Sequence, residues 1–188
     1  MSAGIPKEQL ALEDRLNAIV GQVNQALRGG NASDAIRQYE SALELVQKQP
    51  VLAERKNYVL DRLANGYVHG NRAKDAIPIY SQLLSRRSLD CESQSAVISN
   101  CADVQFSLGM AKLHAADIEG ALATLRDAET NYVKAEKMSE SHEFGAIQVK
   151  EQARTNLWIA VALFQLAKTE EATTTLASCD PTTHSRAV

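Results

Sequence analysis

The sequence predicts an all-α protein of about four paired helices, and its composition is the first reason. The 188 residues include 28 Ala and 20 Leu against 9 Gly and 4 Pro. Ala and Leu favour helices, whereas Gly and Pro weaken them. Apolar residues make up 45% of the chain and charged residues 23%, which is typical of globular proteins with a buried core. The length allows one compact domain or one short array of repeats.

A recurring pattern of small residues is the second reason. The repeated element is an Ala followed four residues later by Tyr or Leu, and three of its four matched copies have another small residue twelve positions before that Ala. The alanines are Ala35, Ala76, Ala121 and Ala172, and the preceding small residues are Ala64, Gly109 and Ala160. Small residues at a helix crossing let the two axes approach within ~8–10 Å. Each copy therefore predicts a helical hairpin, and the hairpins must stack because one alone cannot bury its apolar face.

The ends of the predicted helices carry stop and start signals. Gly30 can end the first helix in the left-handed conformation, and Asn31 or Ser33 can cap the second. Asp117 and Thr169 are candidate caps in the third and fourth pairs. The eight predicted helices span residues 7–28, 33–48, 51–69, 73–87, 91–115, 118–138, 143–167 and 170–178.

One residue conflicts with this pattern of regular helices. Pro78 lies inside the predicted fourth helix, where a proline removes a backbone donor. We therefore expect that helix to start late, near Lys74, or to bend.

The pattern of paired small residues resembles that of the tetratricopeptide repeat (TPR) over about residues 16–179. Successive matched alanines are 41, 45 and 51 residues apart, against 34 for the standard unit, and repeats of this longer kind are similar to those of kinesin light chains and bacterial peptide-sensing regulators. The resemblance implies a right-handed TPR-like solenoid in a single domain, residues 1–179, and a flexible tail at 180–188. The implied repeats lie near residues 16–49, 51–88, 91–138 and 143–179.

Charge and hydropathy exclude several classes of protein. The net charge is −3 and the pI near 5.8, so the chain as a whole does not attract phosphate backbones, and we expect no nucleic-acid partner. No run of about 18 apolar residues occurs, and the first 16 residues lack the apolar core of a signal peptide. We expect no membrane association and a cytoplasmic location. Three cysteines without a C-x-x-C spacing suggest neither a disulfide framework nor a zinc site.

No catalytic motif accompanies the repeats. The sequence has no phosphate-binding Gly loop, no G-x-S-x-G turn and no H-E-x-x-H helix. Two of the four histidines, His69 and His114, occupy equivalent positions in successive repeats, but a spacing of ~10 Å between neighbouring helices separates them too far to share a metal directly. The other two are His142 and His184. We therefore expect no enzyme activity, no cofactor and no metal.

The TPR resemblance implies where a partner would bind, because the first helices of the pairs line a concave groove. The candidate groove residues are Asn24, Tyr58, Asn65, Phe106, Met110, Leu113, Leu157, Val161 and Phe164. Asn24 and Asn65 match the asparagines of the TPR clamp that holds a peptide carboxylate. The basic positions of that clamp are occupied by Val20 and by Asp103 or Phe106. An Asp there would repel a carboxylate, so we do not expect that clamp.

Two apolar trios in the second half of the groove have i, i+4, i+7 spacing, which places each trio on one side of its helix. The trios are Phe106, Met110 and Leu113, and Leu157, Val161 and Phe164. They are either core between repeats three and four or a binding surface. We expect a peptide or amphipathic helix of another protein in the groove. The alternatives are a regulatory sensor for a short peptide or small ligand, and a structural oligomerisation module. Because no capping helix follows the fourth pair, we also expect a homodimer or a longer parent chain.

Overall fold

The computed structural model describes residues 6–87 and 94–179, except for the side chains at positions 24, 27, 28, 86 and 87. The expected flexible tail, residues 180–188, lies outside the described residues, as do Cys91 and His184. Within the described ranges the chain forms eight α-helices and one 3-10 helix, and no strand. The prediction of an all-α fold is confirmed.

The helices follow the predicted order. They are α1 (Lys7–Arg28), α2 (Ala32–Lys48), α3 (Lys56–His69), α4 (Ala73–Arg87), α5 (Ser95–His114), α6 (Ile118–Lys137), α7 (His142–Gln165) and α8 (Thr169–Ala177). Most predicted ends are correct to within two residues. Pro78, where we expected a late helix start or a bend, lies inside α4, which begins at Ala73. The missing proline N–H leaves the carbonyl of exposed Lys74 without its i+4 donor.

The prediction of one continuous helix over residues 51–69 is wrong. Residues Pro50–Arg55 form a 3-10 helix, and α3 begins only at Lys56. The tighter 3-10 turn directs Leu52 into a cluster with Leu16 and Val46, where Leu52 is 1% exposed. The local geometry therefore follows from the burial of one side chain, which periodicity could not indicate.

All four hairpin turns repeat one backbone conformation. Each contains a residue with positive φ five positions before the matched Ala. These residues are Gly30 (73°), Asn71 (58°), Ala116 (64°) and Ala167 (58°). In each turn the next backbone N–H reaches back five residues to a helix carbonyl, as Lys168 does to Leu163 at 2.9 Å. This is a left-handed helix stop, and in its last two copies an alanine adopts it, which the sequence did not predict.

The predicted helix caps are partly correct. Asn31 accepts a hydrogen bond from the Asp34 N–H at 3.1 Å, and Asp117 accepts one from the Gly120 N–H at 3.1 Å. The Thr169 cap is wrong, because Thr169 is already the first residue of α8. Ser141, which the sequence analysis did not single out, caps α7 by accepting from the Phe144 N–H.

Contacts divide the chain into two compact units, Met1–Ile79 and Tyr80–Val188. In the first unit α1 packs on α2, and α2 packs on α3. Its matched small residues, Ala35 and Ala64, are fully buried. The core between these helices is built from Leu16, Ala42, Val46, Leu52 and Val59.

The second unit packs α5 on α6, α6 on α7 and α7 on α8. Its matched small residues Ala121, Ala160 and Ala172 are at most 1% exposed, as the repeat pattern predicts. A Cβ atom added to buried Gly109 would lie 2.7 Å from the Cγ of Leu125. The close approach of α5 and α6 therefore requires a glycine at this crossing.

The cysteines differ from the expectation of no disulfide. Cys101 is disulfide-bonded, whereas Cys179 is a free thiol. The number and spacing of cysteines do not indicate which thiols lie close together in the fold, so this bond could not be predicted from the sequence.

Candidate functional site

The candidate groove residues are distributed over both units. Tyr58 and Asn65 lie on α3 in the first unit. The side chain of Asn24, on α1, lies outside the described residues. The remaining six lie on α5 and α7 of the second unit, where these two helices contact each other. Both apolar trios therefore lie in the second unit.

The candidate residues of the first unit are accessible. Tyr58 is 43% exposed, and the Arg62 guanidinium lies 5.4 Å from the centre of its ring. Asn65 is half-buried, and His69 at the end of α3 is exposed. The closed pocket that the sensor alternative expected from buried Tyr58, Asn65 and His69 is therefore not formed by these side chains.

The α5 trio is largely part of the core. Phe106 and Leu113 are half-buried and pack against the cluster that contains Leu125, Ile159 and Leu163. Met110 between them is half-buried as well. Phe106 and Leu113 therefore pack between repeats three and four, which is the first of the two alternatives.

The α7 trio is different. Leu157 is 49% exposed and Phe164 is 46% exposed, and Val161 between them is half-buried. Seven helical residues separate Leu157 from Phe164, or ~10 Å at 1.5 Å per residue. The opposite side of the same helix carries the buried Ile159 and Leu163. An exposed apolar row thus lies on a helix that is itself firmly packed.

Polar contacts fix the side chains at the junction of α5 and α7. The Arg154 guanidinium stacks over the Phe106 ring at 4.1 Å, an attractive cation–π geometry, and pairs with Glu151 at 2.5 Å. The hydroxyl of fully buried Tyr132 donates to Asp103 Oδ1 at 2.6 Å. Burial, and then this hydrogen bond, raise the pKa of Tyr132 far above its ordinary value. Asp103, at a position that the carboxylate clamp needs to be basic, therefore serves as the acceptor for a buried phenol.

The sequence analysis missed a cleft of about 680 Å³ beside the turn between α6 and α7. Its lining residues are Glu136, Ser139, Glu140, Ser141, His142, Gly145, Ala146, Val149 and Lys150. A Cβ atom on Gly145 would have no neighbour within 4 Å, so the glycine leaves this wall open. The adjacent small residues Gly145 and Ala146 were the available sequence signal.

α7 also carries an unexpected buried polar row. Gln148, Gln152 and Asn156 are at most 8% exposed. Gln152 Nε2 donates to Glu136 Oε2 at 2.7 Å, but within the described residues Gln148 Oε1 and Asn156 Oδ1 accept no hydrogen bond. Because buried polar groups without partners cost stability, α7 is packed less favourably around Gln148 and Asn156 than around Ile159 and Leu163.

The side chains that commonly bind metals do not form a cluster in the described parts of the chain. Residues 6–87 and 94–179 contain no group of three or more His, Cys, Asp or Glu side chains that could hold a metal ion. Burial raises the pKa of the Cys179 thiol, which lowers its thiolate fraction and hence its reactivity. Among the described helices, none is both long and apolar enough to cross a membrane.

Comparisons with known proteins rest on structure alone. The sequence matches no protein-family model, and no curated protein is similar to it. The fold is similar to that of a kinesin light chain with nearly identical TPR-like repeats from Podospora anserina, with a TM-score of 0.51, 14% identity, and coverage of 88% of this chain and 92% of that one.

Two further solved structures give weaker matches. MamA has a TM-score of 0.40 at 18% identity, covering 84% of this chain and 91% of that one. BtubC (BKLC) from P. vanneervenii has a TM-score of 0.46 at 14% identity, covering 92% of this chain and 83% of that one. The three buried pairs of small residues, the repeated turns and the likeness to the first structure agree. The chain has the fold of the TPR-like helical repeat proteins.

Proposed function

We propose that this chain is a protein-interaction module with no chemistry of its own, and that the exposed apolar row of α7 is its main contact surface. The observation that carries the proposal is the exposure of Leu157 and Phe164, at 49% and 46%, on a helix whose other side is core. Large apolar side chains that are clustered on a folded surface mark interaction sites more often than isolated ones do. A cytoplasmic location remains an expectation from the sequence.

A peptide of another protein is the expected ligand. Met110 on α5 and Val161 on α7 are half-buried, so each leaves part of its side chain accessible to a ligand. Arg154, held over Phe106 at 4.1 Å, would offer a cation at its edge. The predicted groove thus retains four apolar anchors that a ligand could reach, whereas Phe106 and Leu113 contribute mainly to packing.

The test is a selection of binding peptides from a random display library against the immobilised chain, followed by binding measurements on purified peptides. We expect Phe164→Glu to weaken the selected peptides by about tenfold or more, because the variant places a charge in an apolar contact. Leu10→Glu is the matched control, since Leu10 is 45% exposed on α1. Circular dichroism of both variants checks that they fold. Selected peptides that bind Phe164→Glu and the unchanged chain equally would contradict the proposal.

A sensor for a small ligand is the second candidate, and the cleft beside the α6–α7 turn favours it. Its volume of about 680 Å³ lies in the range of small-molecule pockets. Because Gly145 opens one wall, Gly145→Leu would place a large side chain at this wall and narrow the cleft. Loss of a ligand on this substitution alone, with Phe164→Glu without effect, would favour the sensor over the interaction module.

A further inference from the structure

The cleft beside the turn between α6 and α7 has opposite charges at its two edges. Glu136 and Lys150 both line it. Glu136 Oε2 accepts a hydrogen bond from Gln152 Nε2 at 2.7 Å, so Glu136 lies on the side of α7 that carries Gln152. Lys150 is two residues from Gln152, which is about 200° around an α-helix. The carboxylate and the ammonium group therefore belong to nearly opposite sides of α7.

Neither charge is neutralised by a neighbour. Among the described residues, Glu136 and Lys150 take part in no ion pair. Glu136 is half-buried and is held by Gln152, which is itself 7% exposed. Partial burial strengthens the attraction between a charge and its counterion. Exposed Glu140 on the turn adds a second negative charge to the cleft.

The wall between the two edges is apolar. It is formed by Gly145, Ala146 and Val149, and a Cβ atom added to Gly145 would have no neighbour within 4 Å. The two serines of the lining already use their hydroxyl groups within the turn. Ser139 donates to the Ser141 carbonyl at 2.9 Å, and Ser141 caps α7. The cleft thus combines an accessible apolar wall with one unpaired charge of each sign.

We infer that this cleft binds a small linear zwitterion, with the ammonium group of the ligand at Glu136, its carboxylate at Lys150 and its apolar body on the wall between them. An α-helix with its side chains is ~10–12 Å wide, so charges on opposite sides of α7 are ~10 Å apart. Three extended peptide residues span about this distance at ~3.3 Å each. A short apolar peptide and a long ω-amino acid share this chemistry. The inference rests on the second candidate function, the sensor, and specifies its ligand.

Ligands with a single charge fit the cleft less well. A simple carboxylic acid would bring a negative charge close to Glu136 and Glu140, and like charges in contact disfavour binding. A simple amine would pair with Glu136 but would leave Lys150 without a counterion. A molecule with both charges at its two ends satisfies both edges at once.

The probes are the tripeptide Ala-Leu-Ala with free ends, its N-acetylated form, its C-terminally amidated form, and aminooctanoic acid. Binding to the intact, isotope-labelled chain is measured by NMR titration. The backbone amide signals of Gly145 and Ala146 show whether a probe binds in the cleft, because both residues line it.

We expect the free tripeptide to cause saturable shifts of these two signals. N-acetylation should weaken binding about tenfold, because it removes a charged hydrogen bond to half-buried Glu136. Amidation should weaken it only about two- to fivefold, because Lys150 is exposed and exposed ion pairs are weak. Tighter binding of the tripeptide than of aminooctanoic acid would assign a peptide ligand, and the reverse order an ω-amino acid. Either order supports the zwitterion.

Two variants of the chain assign each end of the ligand to its edge. Glu136→Gln should remove the effect of N-acetylation, and Lys150→Gln should remove the effect of amidation, because each takes away the protein partner of that end. Glu143→Gln and Lys137→Gln are matched controls, since both residues are exposed near the turn but do not line the cleft. Both controls should retain both effects. Circular dichroism checks that each variant folds.

Three outcomes would overturn the inference. Equal binding of the free and the blocked tripeptides, with shifts at Gly145, would show that the cleft binds a ligand without using its charges, and the sensor would stand. Loss of binding in Phe164→Glu would assign the tripeptide to the apolar row of α7 and would support the interaction module. Without a saturable shift from any probe at millimolar concentration the inference fails, whereas the sensor fails only if Gly145→Leu also leaves the binding of every other ligand unchanged.

Discussion

The third and fourth repeats carry the same apolar pattern in two different environments. Leu125 is fully buried, whereas its equivalent Leu176 is 37% exposed. Phe106 packs on the core formed with α7, whereas its equivalent Leu157 is 49% exposed. The pattern within a repeat determines which positions are apolar, and the following helix determines whether they are buried.

This difference explains why the sequence left two alternatives for the apolar trios. An i, i+4, i+7 pattern places residues on one side of a helix but does not indicate what lies against that side. Here Phe106 and Leu113 pack on the core, whereas Leu157 and Phe164 are exposed. The comparison of Leu125 with Leu176 can be tested directly by measuring stability.

The largest expected effect on the free energy of unfolding is that of Leu125→Ala. Removing a fully buried leucine side chain should lower the free energy of unfolding by about 3 kcal/mol, because transfer and cavity terms add. Leu176→Ala removes the same atoms from a partly exposed site and should cost less than about 1 kcal/mol. Urea unfolding followed by Trp158 fluorescence measures both values within the second unit.

The two substitutions act as controls for each other, since they are chemically identical at positions 51 residues apart. Similar losses for both would mean that Leu176 is covered in solution. In that case the apolar surface of the fourth repeat would not be free for a partner, and the comparison between the repeats would fail.

The next effect concerns two glycines that differ in the space around them. A Cβ atom on Gly109 would lie 2.7 Å from Leu125 Cγ, whereas one on Gly145 would meet nothing within 4 Å. We expect Gly109→Ala to lower the free energy of unfolding by about 1–3 kcal/mol through overpacking. Gly145→Ala, in the first turns of α7, should raise it by about 0.5–1 kcal/mol because alanine favours helix. Urea unfolding of each single variant supplies both values.

A double variant identifies the neighbour that causes the overpacking. Combining Gly109→Ala with Leu125→Ala should cost less than the sum of the two single losses, because each substitution leaves room for the other. Strictly additive losses would show that the cost at Gly109 arises elsewhere, for example in the backbone of α5.

Much of this fold could be predicted from the sequence, because hairpin crossings need small residues and turns need particular backbone conformations. Ala35, Ala121 and Ala172 are buried as the pattern predicts. The 3-10 helix before α3 could not be predicted, because it depends on the burial of Leu52. The sequence also gave no sign that the carboxylate of Asp103 accepts from Tyr132, 29 residues away.

The candidate site was less predictable, because it also depends on contacts between residues that are distant in the sequence. Periodicity indicates the faces of α5 and α7 correctly, but exposure depends on the packing of whole helices. The cleft beside Gly145 forms where α6 ends and α7 begins, so it depends on how these two helices are placed relative to each other. Such information is tertiary and is not contained in a single repeat.

The smallest expected effect concerns the hairpin turns, where the two repeats should behave alike. Ala116 and Ala167 have φ values of 64° and 58°, in the left-handed region that costs a residue with a Cβ about 1–2 kcal/mol. Glycine adopts this region freely but loses more chain entropy on folding. Ala116→Gly and Ala167→Gly should therefore each raise the free energy of unfolding by about 0.5–1 kcal/mol, measured as an increase in the thermal midpoint by circular dichroism.

The matched control is Ala115→Gly, because Ala115 has φ −86° and gains nothing from glycine. Its thermal midpoint should fall slightly or stay unchanged. The turn at Ala116 precedes α6, where Leu125 is buried, and the turn at Ala167 precedes α8, where Leu176 is exposed. An equal gain in stability at both turns would show that the following helix affects the burial of side chains and not the backbone conformation of the repeat. A gain at Ala116 without one at Ala167 would instead show that the fourth hairpin is not held in this turn conformation in solution, and the exposed face of α7 would then have to be attributed to a loosely docked α8.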